Sequence, residues 1–344
     1  MRLLLILCCL CPLSAVDADL DHAQVLELLQ RLPELPEPRP QPSEQLAGDV
    51  NMLEGMVAIT PGQRVVLHGI SQFDQGPTDG LEVLACLEGG KNHESFARLL
   101  TGNAELTKAA FIAGLGLDQE GQPAPEMGAI PARGIPLAVD VVWQPDPLLK
   151  PDDWVRAPAS CLVRDRLTDR PWPALPFVYT GSRFLVTNQT VPGMDGVQKI
   201  ERFMLGVTLS LAVNFDEPDA LLASPFPTAA QDNLFEVNSK ISPPVGSKVS
   251  FVFTRAVLPV ELELNPQGAL SKDGVRLDDA ALGELLAAQF GVEVDPEPAL
   301  RAIAIRAPFT GAYAVSDDRV VETRARILRL AGEHAAWVVP LFTP

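Results

Sequence analysis

The chain is poor in positive charge: 27 Lys and Arg stand against 44 Asp and Glu, a formal net charge of −17 at pH 7. No basic stripe offsets that excess, so nucleic acid is excluded as a partner and an anionic membrane surface finds nothing to hold. Solubility is sufficient reason for the acidity. Long hydrophobic runs are equally scarce. The clearest one, behind Arg2, extends over about ten residues, half of what a bilayer-spanning helix needs. Cysteine is rare as well: Cys8, Cys9 and Cys11 lie in that run, leaving only Cys86 and Cys161 beyond it. No extended low-complexity tract appears, and aromatic residues make up 6%. What is present is a globular composition over 344 residues, more than one typical core accommodates, which suggests two folded units.

Arg2, the apolar run and the small residues near Ala15 and Ala18 read as a secretory signal peptide over residues 1–18. Lipidation is disfavoured, because Cys8, Cys9 and Cys11 follow Leu, Cys and Leu where a small residue should stand. The expected location is periplasmic or extracellular, with no membrane span in the mature chain. An oxidising compartment permits a Cys86–Cys161 bridge, but both lie in strand-like runs where a buried free thiol is an ordinary small hydrophobe.

Residues 19–44 offer a short helix and then a Pro-rich linker, Leu32 to Pro42, whose alternating prolines favour an extended spacer. From 45 to 256 the pattern is strand-rich. Strands are expected at 64–70, 81–87, 135–143, 154–163, 177–186, 199–214 and 248–254. One helix is expected over 104–114, with Leu106, Ala109, Ala110 and Ala113 on one stripe and Gly114 or Gly116 as its cap. Asp219 to Leu222 reads as a single helical turn. From 257 to 344 the order becomes β-β-α-β-α-β, with strands at 258–264, 274–277, 299–307 and 336–342. The helices begin at Asp278 and Ser316. The fold class is therefore α+β: a mainly β domain with one packed helix, then a small α+β domain.

Several segments carry a family likeness. Gly90-Lys91-Asn92-His93-Glu94-Ser95, Gly114-Leu115-Gly116, Pro171-Trp172 and Phe177 to Ser182 form one set. Asn214 to Leu221, Leu234 to Asn238 and Pro243 to Gly246 complete it. On these residues 45–256 resembles the YdjY-domain proteins, bacterial exported proteins for which the resemblance implies no reaction. The strand before Gly274-Val275-Arg276-Leu277, the helix at Asp278-Asp279, Ile303 to Arg306 and Trp337 to Leu341 make 257–344 similar to the ExbD/TolR periplasmic domain. That family places a transmembrane helix with a proton-carrying aspartate before this domain. A signal peptide and a β-rich domain stand here instead, so motor function is not implied.

The sharpest candidate site is Lys91, His93, Glu94 and Ser95, with Cys86 a few residues upstream across a glycine turn. An imidazole beside a carboxylate can act as a base or bind a metal, making Cys86, His93 and Glu94 the candidate ligands. The known motifs fail. A zincin needs a second histidine where Ala97 stands, and a P-loop needs glycine at Ala85 and Ser or Thr at Asn92. Ser95 lacks the glycines of a nucleophile elbow. The competing reading has these polar residues capping a short helix toward Leu100, with His93 structural, so that its removal costs stability.

The other histidines, His22, His68 and His334, suggest no zinc cluster. The pairs Asp278-Asp279 and Asp317-Asp318 suit helix starts and lack EF-hand spacing. Trp143, Trp154, Trp172 and Tyr179 read as core packing, with a carbohydrate or peptide groove as the rival. The function expected is that of a non-enzymatic binding or scaffold protein with an envelope protein partner and no cofactor. The alternative is a metal-binding protein or enzyme with its site around Lys91, His93 and Glu94.

Overall fold

A computed structural model describes residues 50–51, 57–60, 64–117, 134–144, 155–166, 170–172, 174–190, 197–214, 217, 219–224, 234–258, 260–290, 302–306, 318–331 and 339–343. The signal-peptide and linker expectations for residues 1–44 lie outside these, as do His22, His334 and Trp154.

The strands of the first unit are β1 (Val50–Asn51), β2 (Val57–Thr60), β3 (Arg64–Ser71), β4 (Val83–Cys86), β5 (Ser95–Leu99), β6 (Ile135–Trp143), β7 (Val155–Pro158) and β8 (Val163–Asp165). They continue with β9 (Arg170–Pro171), β10 (Phe177–Tyr179), β11 (Phe184–Thr190), β12 (Val197–Phe203), β13 (Ser210–Val213), β14 (Leu222–Ala223), β15 (Phe235–Val237) and β16 (Lys248–Arg255). Two helices join them, α1 (Ala104–Leu115) and α2 (Leu205–Thr208).

Eight strands close into a barrel in the order β3-β16-β6-β10-β14-β13-β4-β5, and β5 returns to pair with β3. Most neighbours are antiparallel, but β4–β5 and β13–β14 run parallel. Closure removes the open edges that a flat sheet would expose. Gly69 stands where the ring closes, opposite Leu99; a Cβ there would lie 2.8 Å from the Arg98 carbonyl oxygen.

Alternation along the strands gives the barrel a filled interior. Val65 and Leu67 of β3, Val139, Val141 and Trp143 of β6, and Phe251 and Phe253 of β16 share the main core. Val66, Val142 and Val252 form a separate small cluster on the opposite face. Burying a side chain of this size contributes about 1.5–3 kcal/mol, so this layer dominates stability.

Helix α1 packs into the barrel core. Asn103 caps its start by accepting from the Leu106 amide, and Gly116, at φ 61, supplies the left-handed end. Arg255 then donates to the Leu115 and Gly116 carbonyls, tying the helix to β16. The buried stripe is Ala104, Thr107, Ala110, Phe111, Gly114 and Leu115, whereas the expected stripe placed Ala109 and Ala113 inward. Phe111 decides the orientation, because its ring packs 4.8 Å from Phe253 and 6.2 Å from Tyr179.

Other expectations are corrected in detail. The expected strand at 199–214 breaks into β12, α2 and β13 around Leu209, whose φ is 58. The strand at 154–163 ends at Pro158 and passes through a 3-10 turn, Ala159–Leu162. Asp219 to Leu222 is a turn entering β14 instead of a helix. Cys86 and Cys161 are both buried and form no bridge with each other. Trp143, Trp172 and Tyr179 are buried, as core packing requires.

The second unit holds β17 (Val260–Leu264), β18 (Leu270–Lys272), β19 (Val275–Arg276), α3 (Asp279–Phe290), β20 (Ala302–Arg306), α4 (Asp318–Ala331) and β21 (Val339–Thr343). Its sheet order is β19-β18-β17-β20-β21. One strand more than expected precedes the first helix, because Asn265 and Gly268 turn the chain back to make β18. Leu282, Leu286 and Phe290 of α3 and Ile327 of α4 cover Val260, Leu262, Ile303 and Ile305. The chain is thus α+β throughout. No helix among the described residues is long and apolar enough to cross a membrane.

Candidate functional site

After β4, Gly89 (φ 88) and Gly90 reverse the chain so closely that a Cβ on Gly90 would stand 3.0 Å from the Cβ atoms of Cys86 and Leu209. A 3-10 turn over Asn92–Glu94 follows and delivers the chain straight into β5. The expected helix toward Leu100 is therefore a strand. Its parallel pairing with β4 competes successfully for backbone hydrogen bonds that a helix would have used internally.

The reversal lays Lys91 back along β4. Its Nζ lies 3.0 Å from Glu82 Oε2 and 3.3 Å from Glu94 Oε2. His93 Nε2 lies 3.0 Å from Glu94 Oε1, on a ring that is 78% exposed. Ser95 is buried and donates to the Lys91 carbonyl at 2.6 Å. Cys86 donates from Sγ to Asn92 Oδ1 at 3.3 Å, and burial pushes its thiol pKa up. Lys91, His93 and Glu94 are thus brought together, while Ser95 and Cys86 hold the turn from beneath. Among the described residues no three His, Cys, Asp or Glu side chains stand grouped to hold a metal ion.

Two carboxylates complete the cluster without having been singled out in the sequence. Glu82 precedes β4, and Glu217 is only 8% exposed. Burial pushes Glu217 up, against the pull of Lys91, and Asp219 adds to the rise. Neither Glu217 Oε2 nor Ser210 Oγ completes a hydrogen bond. Burial also raises Glu82, helped by a hydrogen bond shared with Glu94. Glu94 moves the other way: burial opposes ionisation, but the contacts with Glu82 and Lys91 outweigh it. Burial tends to lower Lys91, and its carboxylate neighbours reverse that. Paired carboxyls of opposite acidity can hold and pass a proton. Two cavities among the described residues, of about 570 and 500 Å³, lie elsewhere, beside Arg255 and Arg306 and beside Arg276 and Arg326.

A second feature was read in the sequence only as strand. β11 and β12 pair with each other over seven residues, from Phe184 opposite Phe203 to Thr190 opposite Val197. They form a two-stranded ribbon separate from the barrel, with both edges unpaired among the described residues. At its base Phe184 and Phe203 stack at 5.1 Å, and Lys108 of α1 lies 5.3 and 5.0 Å from the two ring centres. Four of the eight large hydrophobic side chains exposed among the described residues sit on this ribbon: Phe184, Leu185, Val186 and Val197. Isolated exposed apolar residues are ordinary, whereas here half of those exposed among the described residues fall on one two-stranded element. Val197, at 66%, is the most exposed of them.

No protein-family model, curated protein or solved structure matches this chain.

Proposed function

We propose that the chain is an exported, non-enzymatic binding or scaffold protein of the bacterial cell envelope, and that it works by holding another polypeptide. The observation that carries this reading is the ribbon: two strand edges unpaired among the described residues and four exposed apolar side chains on one element that pairs with no barrel strand. An isolated two-stranded ribbon is only marginally stable in water, and an added strand satisfies its free backbone groups. The signal-like residues 1–18 supply the export, and the likeness to YdjY-domain proteins supplies the envelope setting. The ExbD/TolR-like unit adds further sheet edges in β19 and β21.

The native mass of the exported chain in gently lysed cells tests this reading. The expected result is a complex larger than the free chain that Val186→Asp with Val197→Asp dissolves and Lys91→Ala leaves intact. The opposite pattern would favour the second reading, chemistry at Lys91, His93 and Glu94, for which the asymmetric Glu82–Glu94 pair speaks.

A further inference from the structure

The ribbon carries charge as well as apolar surface, and the two are arranged differently on its strands. β11 has no ionisable side chain, whereas β12 carries Lys199, Glu201 and Arg202. Arg183, at the ribbon's base, is already paired with Asp219 at 2.5 Å. Elsewhere Arg98, Arg156, Arg164, Arg166, Arg306 and Arg326 each face a carboxylate, as expected in a chain with 44 acidic residues. Lys199 and Arg202 make no ion pair or hydrogen bond with any described residue. Two unpaired cations therefore flank an open backbone edge on a strongly acidic protein.

Strand geometry fixes what such an edge accepts. Along β12, Val197, Lys199 and Glu201 point to one face, and Gln198, Ile200 and Arg202 to the other. A strand added to this edge places its own side chains directly opposite them, where opposite charges attract and like charges repel. Carboxylates opposite Lys199 and Arg202, three positions apart and on opposite faces, satisfy both cations; an apolar residue between them meets Ile200, and another beyond the first carboxylate meets Val197. A lysine opposite Lys199 or Arg202 is repelled by the same geometry, and one is accepted only opposite Glu201.

We infer that the β12 edge is a strand-addition site for an extended, acidic and apolar segment of a partner protein. This rests on the ribbon being the contact surface and names the chemistry of what it contacts. The partner strand pairs main chain to main chain along Val197–Phe203. Its carboxylates supply the selectivity.

The test uses a labelled valine–threonine peptide of about ten residues with two glutamates placed to face Lys199 and Arg202, and the same peptide with lysines. Fluorescence anisotropy against the whole chain reads affinity, and hydrogen exchange reads the site. The expected result is at least about tenfold tighter binding of the glutamate peptide, since two cross-strand pairs change from like to opposite charge. The amides of Val197–Phe203 gain protection on binding, and Lys199→Glu with Arg202→Glu inverts the preference. Equal affinity for both peptides overturns the charge selectivity while leaving the ribbon as a contact. Protection that appears elsewhere, or binding of neither peptide, overturns strand addition at β12. A self-associated chain that the glutamate peptide does not disperse shows that a second copy occupies the edge, which also overturns it. The native-mass experiment with Val186→Asp and Val197→Asp separately reports whether the ribbon reading survives.

Discussion

Lys108 Nζ sits 5.0 Å from the Phe203 ring centre and 5.3 Å from that of Phe184, so helix α1 holds the base of the ribbon through one cation. The same helix packs Phe111 against Phe253 in the barrel. One element thus touches both the ribbon and the barrel core. Burial lowers the Lys108 pKa, as expected for an ammonium against aromatic rings.

Lys108→Ala should therefore loosen the ribbon without unfolding the barrel. Exchange rates of ribbon amides are expected to rise, while global stability changes by no more than about 1 kcal/mol, the scale of a partly exposed cation–π contact. Unchanged ribbon exchange would show that the rings alone fasten it.

His68 gives a pH signature. It is 2% exposed, with Nδ1 2.8 Å from Ser250 Oγ and Nε2 without a partner among the described residues. Burial lowers its pKa to about 4 from the usual 6.5. The unfolded chain then binds the proton that the folded chain refuses, so stability contributed by neutral His68 is full above pH 6.5 and is lost as pH falls toward 4. The loss is about 3 kcal/mol. His68→Gln should flatten this part of the stability–pH curve, as chemical denaturation at pH 7.5 and 4.5 would reveal.

Glu217 has the opposite sign. Its raised pKa means that the folded chain holds the proton more tightly, so stability is greater at low pH and declines as pH rises through the folded value. Glu217→Gln should raise Tm at pH 8 and change it little at pH 4. A Tm that falls at pH 8 would mean that the charged form is needed to hold Lys91.

Gly69→Ala tests barrel closure. The added methyl would press on the Arg98 carbonyl at 2.8 Å, and backbone cannot swing away as a side chain can. A loss of about 1–3 kcal/mol is expected, with hydrogen exchange increased first at β3 and β5. A neutral substitution would show that the ring is open at that seam.

Strands β3 and β16 were legible because apolar residues fill their core-facing positions: both fall within a residue of their expected ends. Helix α1 was legible too, but not its buried stripe, because Phe111 and Thr107 turn inward to meet partners from distant strands. Closure was hidden, since it depends on the parallel pairs β4–β5 and β13–β14, which leave no local mark. At the site, Lys91, His93 and Glu94 were found from their types and spacing, and the structure does bring them together. Glu82 and Glu217 were missed, because only the folded loop makes them neighbours of Lys91. The expectation that His93 is structural does not fit a ring that is 78% exposed. His93→Ala should cost no more than about 0.5 kcal/mol in chemical denaturation.

Site-specific photo-cross-linking bears most directly on the claim that the ribbon holds a polypeptide. A photoreactive residue at position 197, on the ribbon, is compared with one at 245, which is also well exposed but lies on a turn before β16. The expected result is one discrete protein adduct from 197 and none from 245. Adducts of equal yield from both positions, or none from 197, would contradict the ribbon as the binding element.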